Sequence, residues 1–172
     1  MRYSIDEVSY WNQEDRRVLK TCLANWFQSP KILNFVAPSM TFPFKFSTWV
    51  NYYRKYSGIT TFVVKEKDWI VGHISLHFDK TTKIAHLFHL FVDSEYRRQG
   101  LAEKMITAME NHGSNLGAVS FSIIIVPKNN PARILYEKSG YQKEGIVRSG
   151  WIKYSKINLA YHPTSNSGAF SN

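Results

Sequence analysis

The sequence predicts a mixed α/β (α+β) fold, and three observations carry that prediction. Two helical segments come first, within residues 12–56. Three apolar, strand-like runs then follow within residues 59–92, and further runs appear at 119–126 and 141–160. Amphipathic helical stretches separate these later strands. The order α, α, β-β-β-α-β-α-β-β suits a mixed central sheet flanked by helices.

Taken in chain order, "NQEDRRVLKTCLANWF" (12–27) places Val18, Leu19, Cys22, Leu23, Trp26 and Phe27 on one helical face, with Asn12 as cap and acids in the first turn. Pro30, Pro38 and Pro43 make residues 28–46 read as irregular. A second helix is expected at 48–56, capped by Ser47. "ITTFVV" (59–64) and "WIVGHISLHF" (69–78) flank the polar Lys65–Asp68, a hairpin signal. Ile70, Ile74, Leu76 and Phe78 alternate with His73, Ser75 and His77, as a half-buried antiparallel strand does. "IAHLFHLFV" (84–92) is nearly all apolar and reads as a central strand. Beyond Gly100, an inward stripe of Leu101, Met105, Met109, His112 and Leu116 predicts a helix. "VSFSIIIV" (119–126) is an interior strand, and "NNPARILYEKSGY" a short helix with Asn130 at the cap, Pro131 at the first position and Gly140 past the end. Strands at 141–147 and 151–160 complete the sheet.

A chain of 172 residues suits one domain with a core of its own, expected over residues 1–161, with the polar 162–172 read as a disordered tail. The single cysteine, Cys22, excludes an internal disulfide framework and is expected as core filler in a reducing, cytoplasmic setting. No apolar run approaches the ~18 residues that cross a bilayer, and the first residues lack a signal-peptide core. The formal charge of +9 favours an anionic partner without choosing one.

One turn has a specific task open to it. In "FVDSEYRRQGLAEKM" (91–105) a strand gives way to a helix through Arg97, Arg98 and a lone Gly100. A helix start presents unpaired N–H groups, Gly100 lets a ligand approach the backbone, and Ala102 is small enough not to block it. The spacing R-x-x-G-x-A suits a pyrophosphate. It is neither the G-x-G-x-x-G dinucleotide fingerprint nor a Walker loop. The alternative is a plain turn with two solvated arginines.

This strand–R-x-x-G-x-A–helix unit resembles motif A of the GNAT (GCN5-related) N-acetyltransferase family. Downstream, Asn129, Ala132, Leu135, Tyr136 and Gly140 match the family's N-x-x-A-x-x-L-Y-x-x-x-G-F pattern, with Tyr141 in place of Phe. The resemblance covers residues 59–160. It implies a mostly antiparallel sheet with one splayed parallel strand pair, acetyl-CoA as cosubstrate, and an amine acceptor. By that resemblance the backbone of Leu90, Phe91 and Val92 pairs with the pantetheine arm. The amides of Arg97, Arg98, Gln99, Gly100, Leu101 and Ala102 hold the pyrophosphate. Asn129 contacts the arm, and Tyr136 protonates the leaving thiolate.

The proton acceptor for the amine departs from the family pattern. Many relatives place a carboxylate on the strand before motif A, but none lies between Ile84 and Phe91 here. His86 and His89 are the titratable groups in reach. They have opposite strand parity unless a bulge resets it. His73 and His77 share a face that lines an acceptor groove or stays structural, and no metal site is expected. The aromatic stretch 35–56 serves as core or as acceptor grip.

The expected function is acetyl transfer to a primary amine of a small molecule or of a peptide or protein N-terminus, by a monomer or homodimer without membrane or nucleic-acid partners. Two other readings compete with it. One is a catalytically degenerate CoA-binding sensor or scaffold. The other is an RNA-binding module, for which no basic–aromatic strand motif is evident.

Overall fold

The computed structural model describes residues 2–147 and 149–163. The expected tail therefore lies, from residue 164 onward, outside the described residues.

Among the described residues, seven strands form one sheet: β1 (Ser4–Val8), β2 (Ile59–Glu66), β3 (Trp69–Asp79), β4 (Ile84–Val92), β5 (Ser120–Ile125), β6 (Gln142–Ile146) and β7 (Ile152–Ile157). Five helices flank it: α1 (Gln13–Trp26), α2 (Pro30–Val36), α3 (Phe46–Arg54), α4 (Leu101–Asn115) and α5 (Asn130–Lys138). The sheet order is β1-β2-β3-β4-β5-β7-β6. Every neighbouring pair is antiparallel except β4–β5. That parallel ladder runs only from Ile84↔Ser120 to His86↔Ser122. Past His86 the two strands part, so the expected splayed pair is present.

The sheet has a core on each face. On one, α4 brings Leu101, Met105, Ile106 and Met109 against Ile74, Leu76, Leu87 and Phe121. On the other, α1, α2 and α3 bring Leu19, Leu23, Leu33, Trp49 and Tyr53 against Val63 and Phe91. Burying a Leu- or Phe-sized side chain stabilises by about 1.5–3 kcal/mol, so these two layers hold the sheet rigid between them. The α4 stripe holds for Leu101, Met105 and Met109 but ends early, because Leu116 is the exposed C-cap.

Four local expectations change. Strand β1, "SIDEV", is absent from the sequence reading because it is a polar edge strand that pairs only with β2 and buries just Val8. Helix α2 was expected as irregular chain, yet Pro30 sits at its first turn, where a missing N–H does no harm. The cap of α5 is Asn129 rather than Asn130: the Asn129 carboxamide accepts from the Ala132 N–H at 3.2 Å. Strand β3 also changes parity. Val64 pairs with Gly72 and Lys65 with Ile70, so Val71 is an additional residue and Ile70 turns to the helix α1–α3 core while Ile74, Leu76 and Phe78 face α4.

Candidate active site

The mouth of α4 is built as the sequence suggests. Gly100 is the N-cap with φ 73°, left-handed, and offers no side-chain cap. Arg98 before it is also left-handed, at φ 59°. Among the described residues, the backbone N–H groups from Arg98 to Glu103 find no acceptor, and the first paired amide of the helix is Lys104, to Gly100 O at 3.1 Å. A Cβ added at Gly100 would meet no atom within 4 Å, so the space above that backbone is open. The unpaired amides and open approach fit a diphosphate.

The side chains around the mouth hold its shape. Arg97 donates Nε–H to Val92 O at 2.9 Å and lies over the Phe91 ring, and Gln99 Oε1 accepts from the Tyr3 hydroxyl at 2.6 Å. Leu101 is buried beneath as an anchor, and Ala102 is half-buried. Arg133 pairs with Glu137, and Lys138 with Glu103 across to α4, so neither cation stands alone.

Where β4 leaves β5, a cavity of about 510 Å³ opens between the strands and helices α2 and α3. Among the described residues, the β5-facing edge of residues 87–92 has no strand partner, since the ladder stops at His86. On the other edge, Ser75 pairs with Phe88 and His73 with Phe91, leaving His89 and Leu90 opposite Ile74 alone. This is a β-bulge, with His89 at φ 52°. The bulge resets the parity that separated the two histidines, so His86 and His89 both line the cavity. Leu90 and Val92 turn to the α4 core, while Phe91 packs on Trp26 and Phe27.

The two imidazoles differ in setting. His86 Nδ1 is hydrogen-bonded to Ser122 Oγ on the last parallel rung. Partial burial, with His77 and Lys153 nearby, holds its pKa below the ordinary histidine value, while Asp79 opposes. His89 is buried, stacked on Trp49 at 4.1 Å between ring centroids, and bonded through Nδ1 to the Tyr53 hydroxyl at 2.9 Å. Burial pushes its pKa well below that of a free imidazole.

His73 and His77 share a strand face but not a role. His77 lines the cavity. His73 is sealed behind it: Nδ1–H donates to His89 O at 2.8 Å, and Nε2 accepts from Tyr10, whose oxygen accepts from Trp49 Nε1–H at 2.7 Å. Cys22 is half-buried against the helix α1–α3 core, its thiol pushed up to about 12 by burial.

Asn129 caps α5 and donates to Phe35 O at 3.4 Å, tying α5 to α2. Tyr136 lies in the α4-side core, edge-on to Tyr141 at 5.3 Å. Burial raises its phenol pKa. Neither residue lines the cavity between β4 and β5. Sequence reasoning overlooked Ser122 and Trp151, which reach the cavity from β5 and the start of β7. An interior-strand serine and a loop tryptophan carry no signal until the strands splay. The aromatic stretch divides: Tyr52 and Tyr56 line the cavity, whereas Phe44, Trp49 and Tyr53 belong to the core.

Comparison with known proteins gives this geometry its class. Residues 22–141 match the acetyltransferase (GNAT) family, and the chain belongs to that family. It is 30% identical over 124 residues to human N-acetyltransferase 8, covering 65% of this chain and 53% of the relative. It is 28% identical over 88 residues to an uncharacterized N-acetyltransferase of Bacillus subtilis, covering 50% and 56%. The chain thus spans about half the length of these curated relatives. Solved structures share the fold at low identity. Spermidine N-acetyltransferase from Vibrio cholerae, in complex with CoA and spermine, superposes with TM-score 0.71 at 16% identity over 91% of this chain and 95% of that one. The ribosomal-protein-S18-alanine N-acetyltransferase of Escherichia coli gives 0.68 at 16% over 95% and 97%.

Proposed function

We propose that this chain transfers the acetyl group of acetyl-CoA directly to a primary amine of a small molecule or of a peptide or protein N-terminus. The observation that carries this reading is the succession along one strand of an edge left unpaired after His86, whose residues 87–89 border a cavity lined by histidines, and, past the end of β4, the unpaired amides at the mouth of α4.

In this reading the amides of Arg98 to Ala102, with Arg97 beside them, hold the diphosphate. The free edge of Leu90, Phe91 and Val92 pairs with the amide-bearing pantetheine arm as a strand would. A β4 amide past the bulge stabilises the tetrahedral oxyanion. Of the two histidines, His86 is the better base, because it is only partly buried and lines the cavity, whereas full burial pushes the pKa of His89 well down. Donation of Nδ1–H to Ser122 leaves the Nε2 lone pair for the amine proton. His89, locked by Tyr53 and Trp49, holds the bulge in shape. Tyr136, which lies on the α4 side of the parted strands and not in the cavity wall, would supply the proton that the departing thiolate takes up only if the arm lies on that side, and Asn129 would act there by holding α5 against α2. Positioning of both reactants in one cavity removes the need for a covalent enzyme intermediate.

Two measurements test the reading together. Acetyl-CoA at 100 times its Kd should stabilise the fold by about 2.7 kcal/mol in thermal unfolding. Free thiol should then appear in proportion to added amine. No stabilisation, or no amine-dependent thiol, overturns it.

A further inference from the structure

The cavity wall opposite β5 is a continuous series of rings. His86 faces His77 at 6.2 Å between centroids with the planes 15° apart, and His77 lies 5.3 Å from Tyr56. Tyr56 is 5.7 Å from Tyr52, and Tyr52 is 5.1 Å from His89. The series therefore runs without a break from the last parallel rung to the bulge. Trp151 and Ile124 supply further apolar lining. The rings are packed against one another, so together they form an aromatic wall, and a flat partner laid against that wall gains ring–ring energy beyond that of area burial.

The wall has an equally definite lack. Among the described residues that line the cavity there is no carboxylate. The acid whose field reaches His86 is Asp79, and its oxygen already accepts the N–H groups of Thr81 and Thr82. Lys153 adds positive potential on the same side, with Glu144 as its partner. An acceptor carrying a second ammonium would have to bury that charge here with no ion to pair it. The reacting amine is spared this, since it gives its proton to the base.

We propose that the acceptor is a primary amine carried on an aromatic or similarly flat apolar body with no second cationic group, and that polyamines are poor acceptors. This rests on the transferase reading above and narrows it. It also separates the chain from the spermidine enzyme whose fold it shares.

The experiment is a comparison of kcat/KM for 2-phenylethylamine, n-butylamine and spermidine by thiol release, with acetyl-CoA binding followed in parallel by thermal shift. 2-Phenylethylamine should exceed spermidine on the order of 100-fold. Tyr56→Ala should raise KM for 2-phenylethylamine about 10-fold and leave that for n-butylamine within about twofold. Ser39→Asp, which places a carboxylate at the cavity rim, should narrow the gap by improving spermidine. Spermidine turned over as well as 2-phenylethylamine, or a Tyr56→Ala effect equal for both monoamines, overturns this proposal alone. Binding of acetyl-CoA with no turnover of any amine overturns the transferase reading and this one with it.

Discussion

His86 and Ser122 meet across the last rung of the parallel ladder, joined by a hydrogen bond between the ring Nδ1 and the serine Oγ. The rung that ends strand pairing is thus also the one that orients an imidazole toward the cavity. His86→Ala should lower kcat by about 100-fold or more while leaving the KM for acetyl-CoA nearly unchanged. Since burial lowers the pKa of His86, the wild-type rate should fall with acid only below the usual histidine value of 6.5. Ser122→Ala should lower the rate less and move that acid limb. A pH–rate profile of the three proteins checks the assignment.

Tyr53 holds a different kind of position. Its hydroxyl bridges His89 Nδ1 at 2.9 Å and Ser75 Oγ at 2.8 Å, and Ser75 in turn meets Thr61 at 2.9 Å. All four groups are buried. Tyr53→Phe leaves two buried partners short of a bond and should destabilise the fold by about 1–3 kcal/mol in urea unfolding. Its acid limb should stay where the wild-type limb lies, because His86 makes no contact with Tyr53.

At Gly100 binding and folding separate. The left-handed backbone, φ 73°, costs a side chain about 1–2 kcal/mol, but a Cβ there touches nothing in the protein. Gly100→Val should therefore fold with a modestly lowered Tm and, on the proposed diphosphate site, lose affinity for acetyl-CoA by about 10-fold or more, since the side chain would occupy that site. Calorimetric titration beside a melting curve distinguishes the two effects. Unchanged affinity would show that the mouth of α4 does not hold phosphate.

Much of this was legible from residue order. Gly100 and the apolar run of β4 follow from local periodicity and steric need, which a sequence displays directly, whereas β3, expected as half-buried, has His73 and Ser75 enclosed as fully as Ile74 and Leu76 because helices cover both faces of the sheet. The two histidines could be named as candidates, yet their shared orientation could not be read, because it depends on one additional residue in β4 relative to β3. Ser122 was hidden for a related reason: its importance comes from being where pairing stops, a property of two strands 36 positions apart. Strand β1 was missed because an edge strand needs only one partner and buries little, so Ser4–Val8 carries no apolar pattern.

Close approach, rather than backbone freedom, governs Gly113. It lies in α4 where the helix crosses the sheet, and an added Cβ would stand 2.9 Å from Phe121 Cε1 and 3.2 Å from both Ala85 Cβ and Leu76 Cδ1. Alanine is the better helix former by about 1 kcal/mol, but overpacking of this kind costs about 1–3 kcal/mol. Three neighbours on three strands must yield at once, so the packing term wins. Gly113→Ala should lower the urea midpoint without altering the slope of the transition.

The buried histidines make stability depend on pH, with a defined sign. His73 is fully enclosed, and its folded pKa falls from 6.5 to about 4, chiefly through burial, with its bond to the His89 carbonyl opposing. Its two nitrogens are committed, Nδ1–H to His89 O and Nε2 to the Tyr10 hydroxyl, so a second proton would displace Tyr10. The unfolded chain binds that proton near pH 6.5 and the folded chain only near 4. The stabilisation is therefore fully present above 6.5 and is lost as pH falls toward 4, about 3 kcal/mol across that window. His86 and His89, also lowered, add to the loss with the same sign. Urea unfolding from pH 7 down to 4.5 should show stability falling steadily, and His73→Gln should flatten the curve while starting from a less stable protein at pH 7. A curve that rises with acid would mean that His73 gains a proton on folding, contrary to the hydrogen bonds that enclose it.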